Sequence, residues 1–266
     1  LGMVVPVLPH LIEDFLGGNT ARAAQMVGYF GTVWAVMQFF AMPVMGGLSD
    51  RFGRRPVILL SNLGLGLDYV LMALAPNLAW LFVGRVISGI TAASTSTGMA
   101  YVADVTPPEK RAGAFGMIGV AFGIGFVFGP ALGGVLGTVD PRLPFWVAAG
   151  LSLANAAYGY FVLPESLPPE KRRPFEWRRS NPLGSLRLLR SHPELTGLAG
   201  VVFLNNLAHA ALPATFVLYA GYRYGWDART VGLTLGVIGA CSAVVQGTLV
   251  APLVGRFGER RILISG

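Results

Sequence analysis

Cysteine, histidine and charge are what this sequence has least of. A single cysteine, Cys241, in 266 residues excludes an intrachain disulfide and a cysteine-based metal cluster. Set within an apolar block, it reads as a buried packing residue. Three scattered histidines supply neither a metal site nor a nucleophile–base constellation, which disfavours an embedded enzyme or receptor. No G-x-x-x-x-G-K-[ST] phosphate loop occurs, so nothing points to an ATPase. Only 12% of residues are charged, against about a quarter in soluble domains. The net charge of +7 sits in short turns between apolar blocks, a distribution that suits membrane topology and not nucleic-acid binding.

Apolar residues are what the chain does have, at 53% of the sequence with a mean hydropathy of +0.59. They fall in blocks at 1–12, 27–45, 57–74, 80–102, 114–136, 145–163, 196–219 and 231–253, with another opening at Ile262. Blocks of this length cross a hydrocarbon core about 30 Å thick as helices, at about 1.5 Å per residue. Runs so uniformly apolar do not suit barrel strands. The expectation is an all-α polytopic membrane protein with seven complete and two partial transmembrane helices, the first truncated. The chain thus reads as a fragment of a longer protein.

Fifteen of the twenty Lys and Arg residues fall in the turns 49–56, 103–113, 164–193 and 254–261, and only Arg22, Arg142, Arg223 and Arg229 in the alternate ones. The positive-inside rule places the first set in the cytoplasm. The long connection 164–193 carries Pro164, Pro168, Pro169, Pro174 and Pro182 and the cluster Lys171, Arg172, Arg173, Arg178, Arg179. It reads as a solvated basic linker, at most partly helical, that can lie on anionic membrane lipid. Residues 1–163 then form a six-helix half, and residues 194–266 begin a second. Parallel six-helix repeats are an arrangement used by secondary transporters.

The turn between the second and third blocks, Gly46-Gly47-Leu48-Ser49-Asp50-Arg51-Phe52-Gly53-Arg54-Arg55, is glycine-bounded and charged. A weaker copy recurs at an offset of 205, where Leu253, Arg256, Phe257, Gly258 and Arg260 match Leu48, Arg51, Phe52, Gly53 and Arg55. An ordinary positive-inside turn explains the basic residues but not the repeated Gly, Phe and Leu positions. The first copy resembles the G-x-L-x-D-R-x-G-R-R/K motif of the major facilitator superfamily, through Gly46, Leu48, Asp50, Arg51, Gly53, Arg54 and Arg55. The resemblance implies a fold of two six-helix parallel repeats. It also implies a cytoplasmic gate in which Asp50 and Arg54 form a charge network with Asp104, breaking and reforming as the halves rock. The second copy departs, with Gly255 in place of the acid and Glu259 in place of Arg54.

Two charges lie inside helices, Asp68 and Arg85, symmetric about the turn near Asn77 and so at similar depth. An unpaired intramembrane charge costs at least about 2.5–3.5 kcal/mol, so pairing or a shared polar cavity is expected. A static pair and a role in proton coupling both fit. Arg85 with Gly89 also resembles the superfamily's fourth-helix R-x-x-x-G signature, implicated there in proton transfer. The fifth helix carries closely spaced glycines around Pro130, which permit close helix approach. Gly125, Gly129, Pro130, Gly133 and Gly134 resemble the G-x-x-x-G-P-x-x-G-G motif of the antiporter branch. Gln38, Asn205, Asn206, His209, Ser242 and Gln246 are polar groups within helices and candidate cavity liners.

Ser49–Pro56, Asp68-Tyr69, Gly84-Arg85, Gly89-Ile90-Thr91, Tyr101–Thr106 and Gly258–Arg261 together resemble the bacterial tetracycline/proton antiporters, over essentially the whole chain. That resemblance implies proton-driven export of a drug-like amphipathic compound, tetracycline among the candidates, with Gln38 in drug recognition and Asp68 needed for transport. Ser242 stands where that family carries a coupling His. The implied setting is the bacterial inner membrane, with 164–193 cytoplasmic. The implied partners are a small-molecule substrate and membrane lipid; the expectation is a monomer with no cofactor, metal or nucleic acid, and the proton as coupling ion. Uptake by a facilitator or symporter of the same fold, for a small metabolite, is the alternative.

Overall fold

The computed structural model describes residues 2–92, 95–177, 180–182, 193–245 and 256. After a 3-10 turn at Gly2–Val4 the order is α1 (Leu8–Phe15), α2 (Thr20–Phe52), α3 (Arg54–Leu74), α4 (Leu78–Ala92) and α5 (Thr95–Val105). Then follow α6 (Arg111–Val139), α7 (Leu143–Val162), α8 (Pro193–Tyr224) and α9 (Ala228–Val244). Among the described residues the regular structure is helical throughout, as hydrocarbon requires of backbone groups that find no water there. Among the described residues, five stretches are long and apolar enough to span a membrane: Thr20–Phe52, Arg54–Leu74, Leu78–Val105, Pro108–Val139 and Leu143–Val162. The block at 196–219 lies within the 32-residue α8, and that at 231–253 extends past α9 into residues outside the description.

Local chemistry marks the helix ends. The Asn19 side chain accepts from the Arg22 N–H at 3.0 Å to open α2, and Asn77 accepts from the Trp80 N–H at 3.2 Å at the start of α4. Asp227 opens α9, taking both the N–H and the hydroxyl of Thr230, and these bonds hold its carboxyl below the usual carboxylate range. Such caps replace donors that a helix start leaves without partners. At the far end of α3, Arg142 donates to the carbonyls of Ala73 and Ala75 at 3.1 and 3.0 Å, satisfying acceptors of the last turn.

The interior joins α1, α3, α4 and α7 through Ile12, Tyr69, Met72, Leu81 and Phe145, all at most 2% exposed. Large apolar side chains such as Phe126, Phe128, Leu151, Phe161 and Val201 stay exposed. In water a surface of that kind would be an interaction site; around spanning helices it matches lipid.

Two expectations need correction. The charged stretch from Gly46 to Phe52 is not a loop: α2 runs through it to Phe52, and the reversal into α3 is made at Gly53 alone. Cys241 is exposed rather than buried.

Candidate functional site

Gly53 lets the chain turn between α2 and α3 with φ +103° and ψ 161°, a conformation that costs another residue about 1–3 kcal/mol. That single-residue corner brings Arg54, at the first turn of α3, back over the last turn of α2. The Arg54 guanidinium meets the Asp50 carboxylate at 2.6 Å and donates to the Ser49 hydroxyl at 2.6 Å. It also meets Asp104, on α5, at 3.2 Å. Ser49, fully buried, donates in turn to the Gly46 carbonyl at 2.8 Å. Arg54 thereby joins acidic or hydroxyl partners on α2 and α5. Charge-assisted bonds of this kind are roughly twice as strong as neutral ones.

The neighbouring cations are spent differently. Arg55 donates to the Tyr160 carbonyl at 2.6 Å and lies 5.5 Å from the centre of its ring, tying α3 to α7. Arg51 lies over Phe52 at 5.0 Å. Three residues that the motif does not contain complete the network. Glu165 accepts from the Arg54 N–H, Ser166 donates to Asp104, and the Arg173 N–H donates to the Asp50 carbonyl. The signal available in the sequence was Pro164-Glu165-Ser166, polar residues placed directly at the end of an apolar block. A cavity of about 690 Å³ opens between Asp50, Arg54 and the linker residues Lys171, Arg172 and Arg173.

Deeper in the bundle, Asp68 is 1% exposed, and neither carboxylate oxygen has a hydrogen-bond partner among the described residues. Arg85 forms no ion pair with it there; its guanidinium lies 5.7 Å from the centre of the Trp34 ring, on α2. From α4 the acid is faced by Gly84, where a Cβ would come within 3.1 Å of the carboxylate, and by the Ser88 hydroxyl one turn on. Successive residues on a helix point about 100° apart, so Gly84 makes room for the acid and Arg85 is turned toward α2. The two charges interact through space without a direct ion pair.

At the end of the bundle opposite the charged corner, α6 forms a close seam with α9 and the start of the chain. A side chain at Gly133 would strike the Met3 backbone, and one at Gly134 the Ala228 carbonyl. The Gly125 carbonyl and Gly129 lie against Gly2. On the facing helix, Gly232 abuts the Pro130 carbonyl, and Gly236 and Gly239 abut Val127. These three α9 glycines were missed in the sequence reading, although their small-residue spacing was a readable signal. Toward the charged end, Gly113, Gly116, Gly119 and Gly123 of α6 face open space. A Gly232→Val substitution is expected to lower the thermal midpoint of the purified protein, at an overpacking cost of about 1–3 kcal/mol. Gly236→Ala, whose Cβ would sit 3.1 Å from the Val127 carbonyl, is expected to be tolerated better.

The candidate cavity residues stand as follows. Gln38 is half-buried on α2, Asn205 and Asn206 are exposed on α8, and Ser242 is exposed on α9. The Asn206 amide donates to the Val202 carbonyl one turn back, at 2.8 Å. The His209 side chain, Gln246 and all of the second motif copy except Arg256 lie outside the described residues.

A chain of spanning helices with a glycine seam at one end and a charged corner at the other has the architecture of a multi-pass membrane protein. The family model described as the Major Facilitator Superfamily matches residues 1–266, and the chain belongs to that superfamily. It is 40% identical over 266 residues to the class C tetracycline resistance protein of Escherichia coli, covering 100% of this chain and 66% of the relative. It is 29% identical to multidrug resistance protein 2 of Bacillus subtilis, over 99% of this chain and 65% of that one. The chain thus spans about two-thirds of the length of these curated relatives. Among solved structures, that of the human organic anion transporter MFSD10 (TETRAN) superposes with a TM-score of 0.74. It is 26% identical, with 93% of this chain and 67% of that chain covered.

Proposed function

We propose that this chain is the larger part of an inner-membrane secondary transporter that exports a drug-like amphipathic compound in exchange for protons. Residues 1–163 and 194–266 are taken as belonging to two halves, joined by a cytoplasmic linker at 164–193. The observation that carries the reading is the glycine seam of α6. Its glycines near Pro130 are closed against α9 and the chain start. Close backbone contact between helices of the two halves suits alternating access, in which two bundles rock about a central site. The similarity to tetracycline and multidrug resistance proteins supports a drug-like substrate.

In this reading the residues have separate duties. Asp50, Arg54 and Asp104 hold the cytoplasmic gate, Arg51 and Arg55 brace it, and Gly46 and Gly53 shape it. Gly125, Gly129, Pro130, Gly133 and Gly134 make the outer seam. Asp68, with Arg85 nearby, is the candidate for proton coupling, since a carboxyl without a fixed partner is free to exchange its proton when water reaches it. Gln38, Asn205, Asn206, His209, Ser242 and Gln246 remain the candidate substrate contacts.

The test is drug-dependent proton movement in everted vesicles holding the full-length protein, with tetracyclines and other amphiphiles as probes. A substrate-induced pH change that an uncoupler abolishes is expected. No pH change with any compound, alongside measurable transport, would leave a uniporter and defeat the antiport reading.

A further inference from the structure

The linker is fastened to the gate corner through contacts that the motif itself does not contain. Glu165, three residues past the end of α7, places one carboxylate oxygen 2.8 Å from the Arg54 N–H and 3.0 Å from the Leu167 N–H. The first of these donors belongs to the exposed start of α3, so the linker supplies that helix with the acidic cap its own sequence lacks. The other oxygen lies 4.0 Å from the Arg172 guanidinium, which also donates to the Leu167 carbonyl. Two glycines of the corner are covered by the same segment. A side chain at Gly53 would enter the Glu165 carboxylate, and one at Gly47 would meet Ser180 and the Phe175 ring. The Arg173 N–H donates to the Asp50 carbonyl at 3.0 Å. Four positions of the linker, Glu165, Arg173, Phe175 and Ser180, thus meet the corner that holds Arg54.

We propose that Glu165 fastens the linker between the halves onto the gate corner. It is a positioning residue that acts through the start of α3 and through Arg54. Residues 165–173 and the corner then move as one unit, so displacement of the second half pulls on the first-half gate. This rests on the gate reading given above, but the fastening itself is measurable without any transport.

The experiment is limited trypsin digestion of the full-length protein in everted vesicles, with cleavage sites located by mass spectrometry. The bonds after Lys171 and Arg172 report the fastening, because Pro174 protects the bond after Arg173. In Glu165→Ala, cleavage at those two bonds is expected to speed up about tenfold, as befits loss of hydrogen bonds to a charged group. Cleavage after Lys110 and Arg111 should stay unchanged. Glu165→Gln, whose amide oxygen still accepts from both N–H groups, should remain within about threefold of the wild type. Unchanged cleavage in Glu165→Ala, or an equal rise at Lys110 and Arg111, would overturn the fastening. In the same vesicles Glu165→Ala should lower the maximal rate of export and leave KM unaltered, with Glu165→Gln restoring the rate. Faster cleavage with unaltered export would overturn the positioning role. A wild type that exports nothing would count against the function proposed, while the digestion would still decide the fastening.

Discussion

Asp68→Asn is expected to cut proton-coupled export about 100-fold, equivalent to roughly 2.7 kcal/mol in the barrier, without destabilising the protein. The side chain is 1% exposed and both oxygens lack hydrogen-bond partners among the described residues. A buried charge without compensation costs several kcal/mol, so a carboxylate retained here brings no stability of its own. Asn matches the shape of the protonated acid and removes only the ability to exchange a proton. Export assayed in vesicles and thermal unfolding of the purified protein separate the two effects. A lowered midpoint with proportionate loss of transport would make Asp68 a structural residue instead. Exchanging the two charges, Asp68→Arg with Arg85→Asp, is expected not to rescue export, because the two groups form no direct ion pair and Gly84 leaves room for a carboxylate and not for a guanidinium.

The second large effect is expected at the gate. Asp50→Asn should lower the initial rate of export about tenfold or more, a change of about 1.4 kcal/mol in the barrier. An ordinary exposed ion pair is worth about 0–1 kcal/mol, so a loss of this size marks a gate and not a decorative salt bridge. Arg54 would keep Ser49 and Asp104, and the corner would stay folded around Gly53 while losing the contact that fixes the guanidinium. Glu259→Gln, in the second copy of the motif, should change the rate by no more than about twofold, since that copy has no acid equivalent to Asp50. Rates measured side by side in vesicles at equal protein content decide the matter. Equal losses in the two variants would remove the proposed asymmetry between the halves.

Much of the architecture was legible in the order of residues because a membrane imposes simple demands. Spanning segments must be long, apolar and helical, so the blocks from Val27 to Leu163 could be marked without knowing any contact. The Asp50, Arg54 and Asp104 positions were readable through the resemblance to the superfamily motif alone, because Asp50 and Arg54 stand on different helices on either side of Gly53. Cys241 went wrong for a related reason: apolar surroundings in the sequence mean lipid as readily as protein, and only packing tells them apart.

The sequence by itself determined the helical, multi-pass fold and the run of glycines along α6, which follow from hydrophobic length, helical rise and composition. The tertiary structure alone decided which groups meet. The 100° step from Gly84 to Arg85 turned the cation toward Trp34. The single-residue corner at Gly53 folded Arg54 back onto Asp50. The return of the linker brought Glu165 to α3 across 111 residues of chain. Azimuth around a helix and contacts between distant segments depend on how the helices pack together, and no one-dimensional pattern carries that information.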